Sequence, residues 1–257
     1  MNKLHRIAAS LALSFATLAL TPAVHAASTA PVKNIILVHG FFADGSGWRG
    51  VADILTRDGY HVTVVQQPET SLADDVKATL GAVHAVTGAS ILVGHSYGGM
   101  VITEAGNDAQ VAGLVYVAAF QPDAGESLKD LADRMPPASK GIKGTADGHL
   151  IFDPAVFHAD FAADLPAADA RFMAVSQVLP AVQAAGARVT QAAWKTKPSW
   201  AIVSTADRTV NPDLERYMAK RAGSKVVEIN GSHVAFIAQP ALVARTIEQA
   251  AAAVGKP

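Results

Sequence analysis

From position 34 onward, short runs rich in Ile and Val alternate with longer stretches of helical period, and this rhythm constrains the fold more than any other feature. Such alternation is the signature of successive βαβ units and a parallel sheet. Apolar runs at 34–38, 61–65, 90–93, 111–117, 199–203 and 225–229 predict about six strands. Helical patterns over 48–57, 72–86, 99–107, 212–221 and 239–253 predict the helices between and after them. Asn211 followed by Pro212 reads as an N-cap with proline at the first helical position. The expected class is α/β, a mostly parallel sheet with helices on both faces.

The rhythm breaks over 121–197. Phe152, Phe157, Phe161, Phe172 and Met173 lie there among alanines, prolines and glycines, with no strand alternation. So long a connection between consecutive strands needs structure of its own, and the Ala-rich stretch 166–194 predicts mostly helix. The segment reads as a helical cap over one end of the sheet; a pair of helices covering the sheet is the alternative. Residues 27–257 then form one domain.

The first 26 residues follow another pattern. Lys3 and Arg6 precede an apolar run over 7–20 that contains Ser10, Ser14 and Thr17, and Val24-His25-Ala26 follows. This predicts a secretory signal peptide over 1–26, cleaved after Ala26, hence an exported protein, periplasmic or secreted, left without a membrane anchor. The run is short of the roughly 20 residues a bilayer needs. The composition narrows the chemistry further. With 21 basic against 22 acidic residues there is no excess of positive charge for a nucleic acid, and 50% hydrophobic residues against 17% charged exclude a disordered chain. The absence of cysteine removes disulfides, thiolate metal sites, iron-sulfur clusters and a cysteine nucleophile. Reactivity must come from Ser, His, Asp, Glu, Lys or Tyr.

Gly94-His95-Ser96-Tyr97-Gly98-Gly99 directly follows the apolar run Ile91-Leu92-Val93 and directly precedes a helical segment. This is the G-x-S-x-G nucleophile elbow in the context it requires. The reversal from strand to helix strains the serine backbone, and the positions two before and two after must be small, as Gly94 and Gly98 are. Serine needs a base, and the base needs an orienting acid, expected in the order Ser, acid, His. Of the histidines downstream of Ser96, His149 and His158 fall in the irregular segment, while His233 follows the last predicted strand. Asp207 follows the strand at 199–203 and is the first choice for the acid, with Asp213 and Asp123 as alternatives. The backbone N–H groups of Phe41, after the first strand, and of Tyr97, beside the nucleophile, are the expected oxyanion donors. His39 reads as a brace for its loop.

Gly45-Ser46-Gly47-Trp48-Arg49-Gly50 also matches G-x-G-x-x-G, the mark of an NAD(P)-binding oxidoreductase. The match fails in context: residues 39–44 separate it from the strand, and the next strand ends in Val64-Val65-Gln66-Gln67 without the acid that would hold a ribose. No H-E-x-x-H or clustered His and Asp spacing points to a metal hydrolase. Neither a metal nor an organic cofactor is expected.

The chain resembles the α/β-hydrolase superfamily, and within it the small cap-bearing group of plant methylesterases, hydroxynitrile lyases and bacterial esterase relatives. The resemblance rests on Leu37-Val38-His39-Gly40-Phe41 with Trp48, the elbow, Ala119-Phe120-Gln121-Pro122-Asp123-Ala124-Gly125-Glu126-Ser127, Thr205-Ala206-Asp207-Arg208-Thr209-Val210-Asn211-Pro212, and Gly231-Ser232-His233 ahead of Gln239-Pro240. It implies a Ser96, Asp207 and His233 triad with Phe41 and Tyr97 as oxyanion donors, in a serine ester hydrolase acting through an acyl-enzyme. The lyases of this group carry a threonine where this chain has Gly40 and a lysine where it has Val234, which favours the esterase branch over a lyase; a ligand-sensing relative that kept the triad is the other alternative, and the predicted export argues against a nuclear or cytosolic sensor. The large cap residues, mostly aromatic or Met, point to a small or medium uncharged ester as the small-molecule substrate.

Overall fold

The computed structural model describes residues 32–255, so the predicted signal peptide lies outside the described residues. Six strands form the main sheet: β1 (Asn34–Val38), β2 (His61–Val65), β3 (Ser90–His95), β4 (Val111–Val117), β7 (Ser199–Ser204) and β8 (Lys225–Ile229). All pair in parallel, in the order β2-β1-β3-β4-β7-β8. Burial follows this order. Every residue of β1, β3 and β7 is buried, whereas the edge strands β2 and β8 keep exposed positions. Strands covered on both faces read as unbroken apolar runs, which is why the sequence announced the inner strands most clearly.

The helices are α1 (Arg49–Arg57), α2 (Leu72–His84), α3 (Gly98–Ala105), α4 (Leu128–Arg134), α5 (Pro154–Asp160), α6 (Ala167–Val175), α7 (Val182–Gly186), α8 (Pro212–Ala222), α9 (Ala235–Ala238) and α10 (Pro240–Val254). Helix α1 packs on α10 and α2 on α3, giving helical layers on both faces of the sheet. A 3-10 turn, Gly45–Trp48, leads into α1. Asn211 caps α8 by accepting from the Asp213 amide at 2.9 Å, ahead of Pro212. The chain leaves β1 toward β2 and then returns to β3 on the other side of β1. The loops after β1 and β3 therefore diverge at the C-terminal edge of the sheet, where a parallel sheet opens a crevice.

Between β4 and β7 lies the inserted segment, with helices α4 to α7 and one addition that the sequence did not announce. Two three-residue strands, β5 (Ile142–Gly144) and β6 (Leu150–Phe152), form an antiparallel hairpin, too short to show alternation in the sequence. Only α6 and α7 are α-helical within 166–194. After α7 the chain bonds to the loop before α4, Gly125 N to Val189 O at 2.7 Å and Val189 N to Glu126 O at 3.1 Å, and those pairings take the place of helical ones. Phe152, Phe157 and Phe161 are fully buried and pack with ring centroids 4.5 to 5.5 Å apart, whereas Phe172 on α6 is 71% exposed.

Candidate active site

Ser96 sits at the reversal between β3 and α3 with φ +52°, a left-handed conformation that strains any residue with a side chain. Space there is scarce. A Cβ on Gly94 would stand 2.5 Å from the Gly98 carbonyl oxygen, and one on Gly98 would stand 2.7 Å from the carbonyl oxygens of Val38 and His39. Two further glycines share the constraint: a Cβ on Gly99 would run into the Phe120 carbonyl, and one on Gly40 would stand 2.6 Å from Ser96 Cβ. The Ser96 carbonyl accepts from the Gly99 and Phe120 amides at 3.0 and 3.1 Å, fixing the strained turn.

His233 lies in the loop after β8, with Nδ1 2.6 Å from Asp207 Oδ2, and both side chains are buried. The other carboxylate oxygen of Asp207 accepts from the Thr209 and Val210 amides at 2.7 and 2.9 Å. These bonds fix the carboxylate plane, and the carboxylate in turn holds the proton on Nδ1. His233 Nε2 is buried and has no hydrogen-bond partner among the described residues. The alternative acids point elsewhere: Asp213 is exposed and pairs with Arg216, and Asp123 pairs with Lys195. His149 pairs with Asp147, and His158 Nε2 bonds the Leu165 carbonyl.

Two side chains from distant parts of the chain bond the His233 loop, and sequence reasoning found neither. His95 Nε2 donates to the His233 carbonyl at 2.9 Å, and the two rings lie 4.6 Å apart. Burial holds the His95 ring far below its usual pKa, hence neutral. The second contact comes from the insertion: Asp164 accepts from the Ser232 amide at 2.9 Å and from the Ser232 hydroxyl. Four residues earlier, Asp160 accepts from Arg208 Nε at 2.6 Å and its carbonyl accepts from the Thr209 hydroxyl at 2.9 Å. The end of α5 and the turn after it thus pin the insertion to the loops that carry Asp207 and His233.

The Phe41 ring stacks on the Tyr97 ring, centroids 3.8 Å apart, bringing the loop after β1 against the elbow. Neither the Phe41 nor the Tyr97 amide bonds a protein acceptor among the described residues. His39 braces the loop: Nδ1 donates to the Gly40 carbonyl at 3.0 Å, Nε2 accepts from the Gln67 amide, and Gln67 Nε2 bonds the His39 carbonyl at 2.9 Å. Behind it lies a buried acidic pair. Glu69 Oε1 is 3.4 Å from His39 Nδ1, and Asp75 accepts from the Glu69 amide and the Tyr97 hydroxyl at 2.8 and 2.7 Å. Burial raises the Glu69 carboxyl to about 7. Burial, with Asp207 nearby, likewise raises Glu215 on α8 well above the ordinary carboxylate range.

Ser96 opens into a cavity of about 340 Å³, lined by Phe41, Phe120, Phe161, Leu128, Ile142 and Val210 among others. The glycines of the G-x-G-x-x-G match serve packing instead: a Cβ on Gly45 would lie 2.6 Å from Val64, and Gly47 and Gly50 face Ile237 and Pro240.

Residues 35–246 match the model of the alpha/beta hydrolase family. The chain belongs to that family. Among curated proteins, this α/β hydrolase is 36% identical over 121 residues to a carbendazim hydrolyzing esterase of Nocardioides sp. (strain SG-4G), an alignment covering 41% of this chain and 50% of that one. The chain therefore spans about half the length of that curated relative. Among solved structures, a pyrethroid hydrolase from Sphingobium faniae JZ-2 is similar at a TM-score of 0.73 and 23% identity, over 86% of this chain and 97% of that one. Polyneuridine aldehyde esterase is similar at a TM-score of 0.73 and 17% identity, over 85% and 98% of the two chains. Both structural likenesses are of fold.

Proposed function

We propose that this α/β hydrolase is an exported serine ester hydrolase in which Ser96, His233 and Asp207 act as a triad and segment 121–197 serves as a cap. The observation that carries the reading is the buried 2.6 Å His233–Asp207 pair whose Nε2 is left unpartnered, with the strained Ser96 beside His95, over which the His233 ring lies. Ser96 Oγ attacks the ester carbonyl carbon while its proton passes to His233 Nε2. The Phe41 and Tyr97 amides hold the oxyanion, and Asp207 stabilises the imidazolium. Collapse breaks the bond to the alkoxy oxygen, which takes the proton from Nε2 and leaves as the alcohol. Water, deprotonated by the same nitrogen, then releases the acid and restores Ser96.

The apolar Ser96 cavity favours a small or medium uncharged acyl group, and the names of the relatives fit ester hydrolysis. A lyase reading fits less well, because a threonine at position 40 has no room beside Ser96 and Val234 offers no cation. Fluorophosphonate labelling together with turnover of p-nitrophenyl butyrate tests the assignment. Labelling of the wild type and none of Ser96→Ala is expected; equal labelling of both, or no turnover of any short ester, overturns it.

A further inference from the structure

A second cavity, of about 290 Å³, lies across Phe42 from the Ser96 cavity. Its walls are apolar, including Phe172 and Met173 from the insertion and Val234, Phe236 and Ile237 from the segment after His233, with Asp44 and Asp169 on the lining and no basic residue among the described ones. Phe42 is the one residue that lines both cavities. It is 3% exposed, and its ring is held edge-on by Phe41, Phe152 and Phe161 at centroid distances of 6.1, 5.8 and 6.4 Å. Its backbone has φ +64°, a conformation that an aromatic residue adopts only where its surroundings impose it.

The chemistry of ester cleavage assigns the two sides. The alkoxy oxygen must come within reach of His233 Nε2, which protonates it as the bond breaks, so the alcohol half points toward the histidine loop and the acyl half away from it. Val234, Phe236 and Ile237, which follow His233, wall the second cavity, whereas the first contains Ser96 and Phe120 together with Phe161, whose ring stands edge-on to His233 at 4.9 Å. Resting on the triad reading above, we infer that the second cavity receives the alcohol half of the ester and that Phe42 is the specificity residue that limits its size. Phe42, buried and shared by the two linings, bounds the room left for the alcohol. The two carboxylates and the lack of a lining cation disfavour anionic alcohols. The substrate class is therefore an ester of a small, uncharged alcohol with an apolar acid.

The test compares kcat/KM across two series, acetates of ethyl, butyl, hexyl and benzyl alcohol, and ethyl esters of acids from two to eight carbons, for wild type and Phe42→Ala. Wild type is expected to fall off with alcohol size. Phe42→Ala is expected to improve benzyl over ethyl acetate by about tenfold or more, within the range one hydrophobic wall can impose, and to leave the order of the acid series unchanged. Met173→Trp, added to Phe42→Ala, enlarges another residue lining the second cavity and is expected to cancel the gain. A Phe42→Ala that alters the acid series instead, or neither series, overturns the inference; Phe42→Leu takes its place should the alanine variant fail to fold. Fluorophosphonate labelling separates the two failures. Loss of labelling in the wild type defeats the triad reading itself, whereas full labelling with an unmoved alcohol preference defeats only the role of Phe42.

Discussion

Asp207 and Asp213 stand six positions apart, and their surroundings assign them opposite weights. Asp207 is buried against His233 Nδ1 with its second oxygen bound by two amides, while Asp213 meets water and Arg216. An asparagine at 207 keeps the shape but can hold the imidazole in the wrong tautomer and cannot offset its charge, a change worth roughly 10⁴ in turnover in serine proteases. Asp207→Asn is therefore expected to lower kcat by about three to four orders of magnitude with little change in Tm, and Asp213→Asn to cost at most about tenfold. Steady-state kinetics and thermal melts check both. Glu69 makes a different prediction. Its folded value of about 7 lies above the ordinary 4.5, so folding takes up a proton and stability falls as pH rises through that window. Glu69→Gln removes the penalty; relative to wild type it should gain up to about 3 kcal/mol between acid and neutral pH, read from denaturant melts at pH 4.5 and pH 8. A pH-independent difference between the two proteins defeats this account. Neither Glu69 nor Asp75 was legible as buried in the sequence, because acids before and within the first turn of a helix normally face water.

At the scale of the elements, the loop after β8 depends on partners far away in the chain. His95 at the end of β3 and Asp164 after α5 hold its backbone from two sides. His95→Leu leaves the His233 carbonyl without its donor, and about tenfold or more is expected to be lost in kcat with KM little changed, whereas His95→Gln, which retains an amide donor, should recover part of it. Asp164→Ala removes the other support and should act in the same direction, with a loss of about 1 kcal/mol for the part-buried hydrogen bonds. If both variants change Tm and leave kcat intact, the contacts are structural only. These elements also show where the sequence became illegible. The inner strands are covered on both faces and advertise themselves as Ile and Val runs, and the elbow needs small residues at fixed spacing, so β1, β3 and the surroundings of Ser96 could be read directly. His95 stood only as the unspecified residue of a motif. Asp160 and Asp164 lie in a segment without period, where nothing distinguishes a pinning carboxylate from a solvated one, and three-residue strands such as β5 carry no alternation to detect.

At the scale of the whole molecule, all six strands of the main sheet run one way, so every loop that follows a strand opens on the same edge, and Ser96, Asp207 and His233 come to it from behind β3, β7 and β8. Export belongs to this scale as well. Expressed with its first 26 residues in a bacterium with a secretory pathway, the protein should be recovered outside the cytoplasm beginning at Ala27, as read by mass spectrometry of the intact chain; recovery in the cytoplasm with Met1 retained defeats that expectation. The bond from His95 to His233 spans 138 residues. Closing so long a loop is entropically costly and comes only after much of the intervening chain has found its place. A newly made chain accordingly remains without catalytic competence until its last strand and the loop behind it have docked, and during refolding the recovery of turnover should lag behind the return of helical circular dichroism.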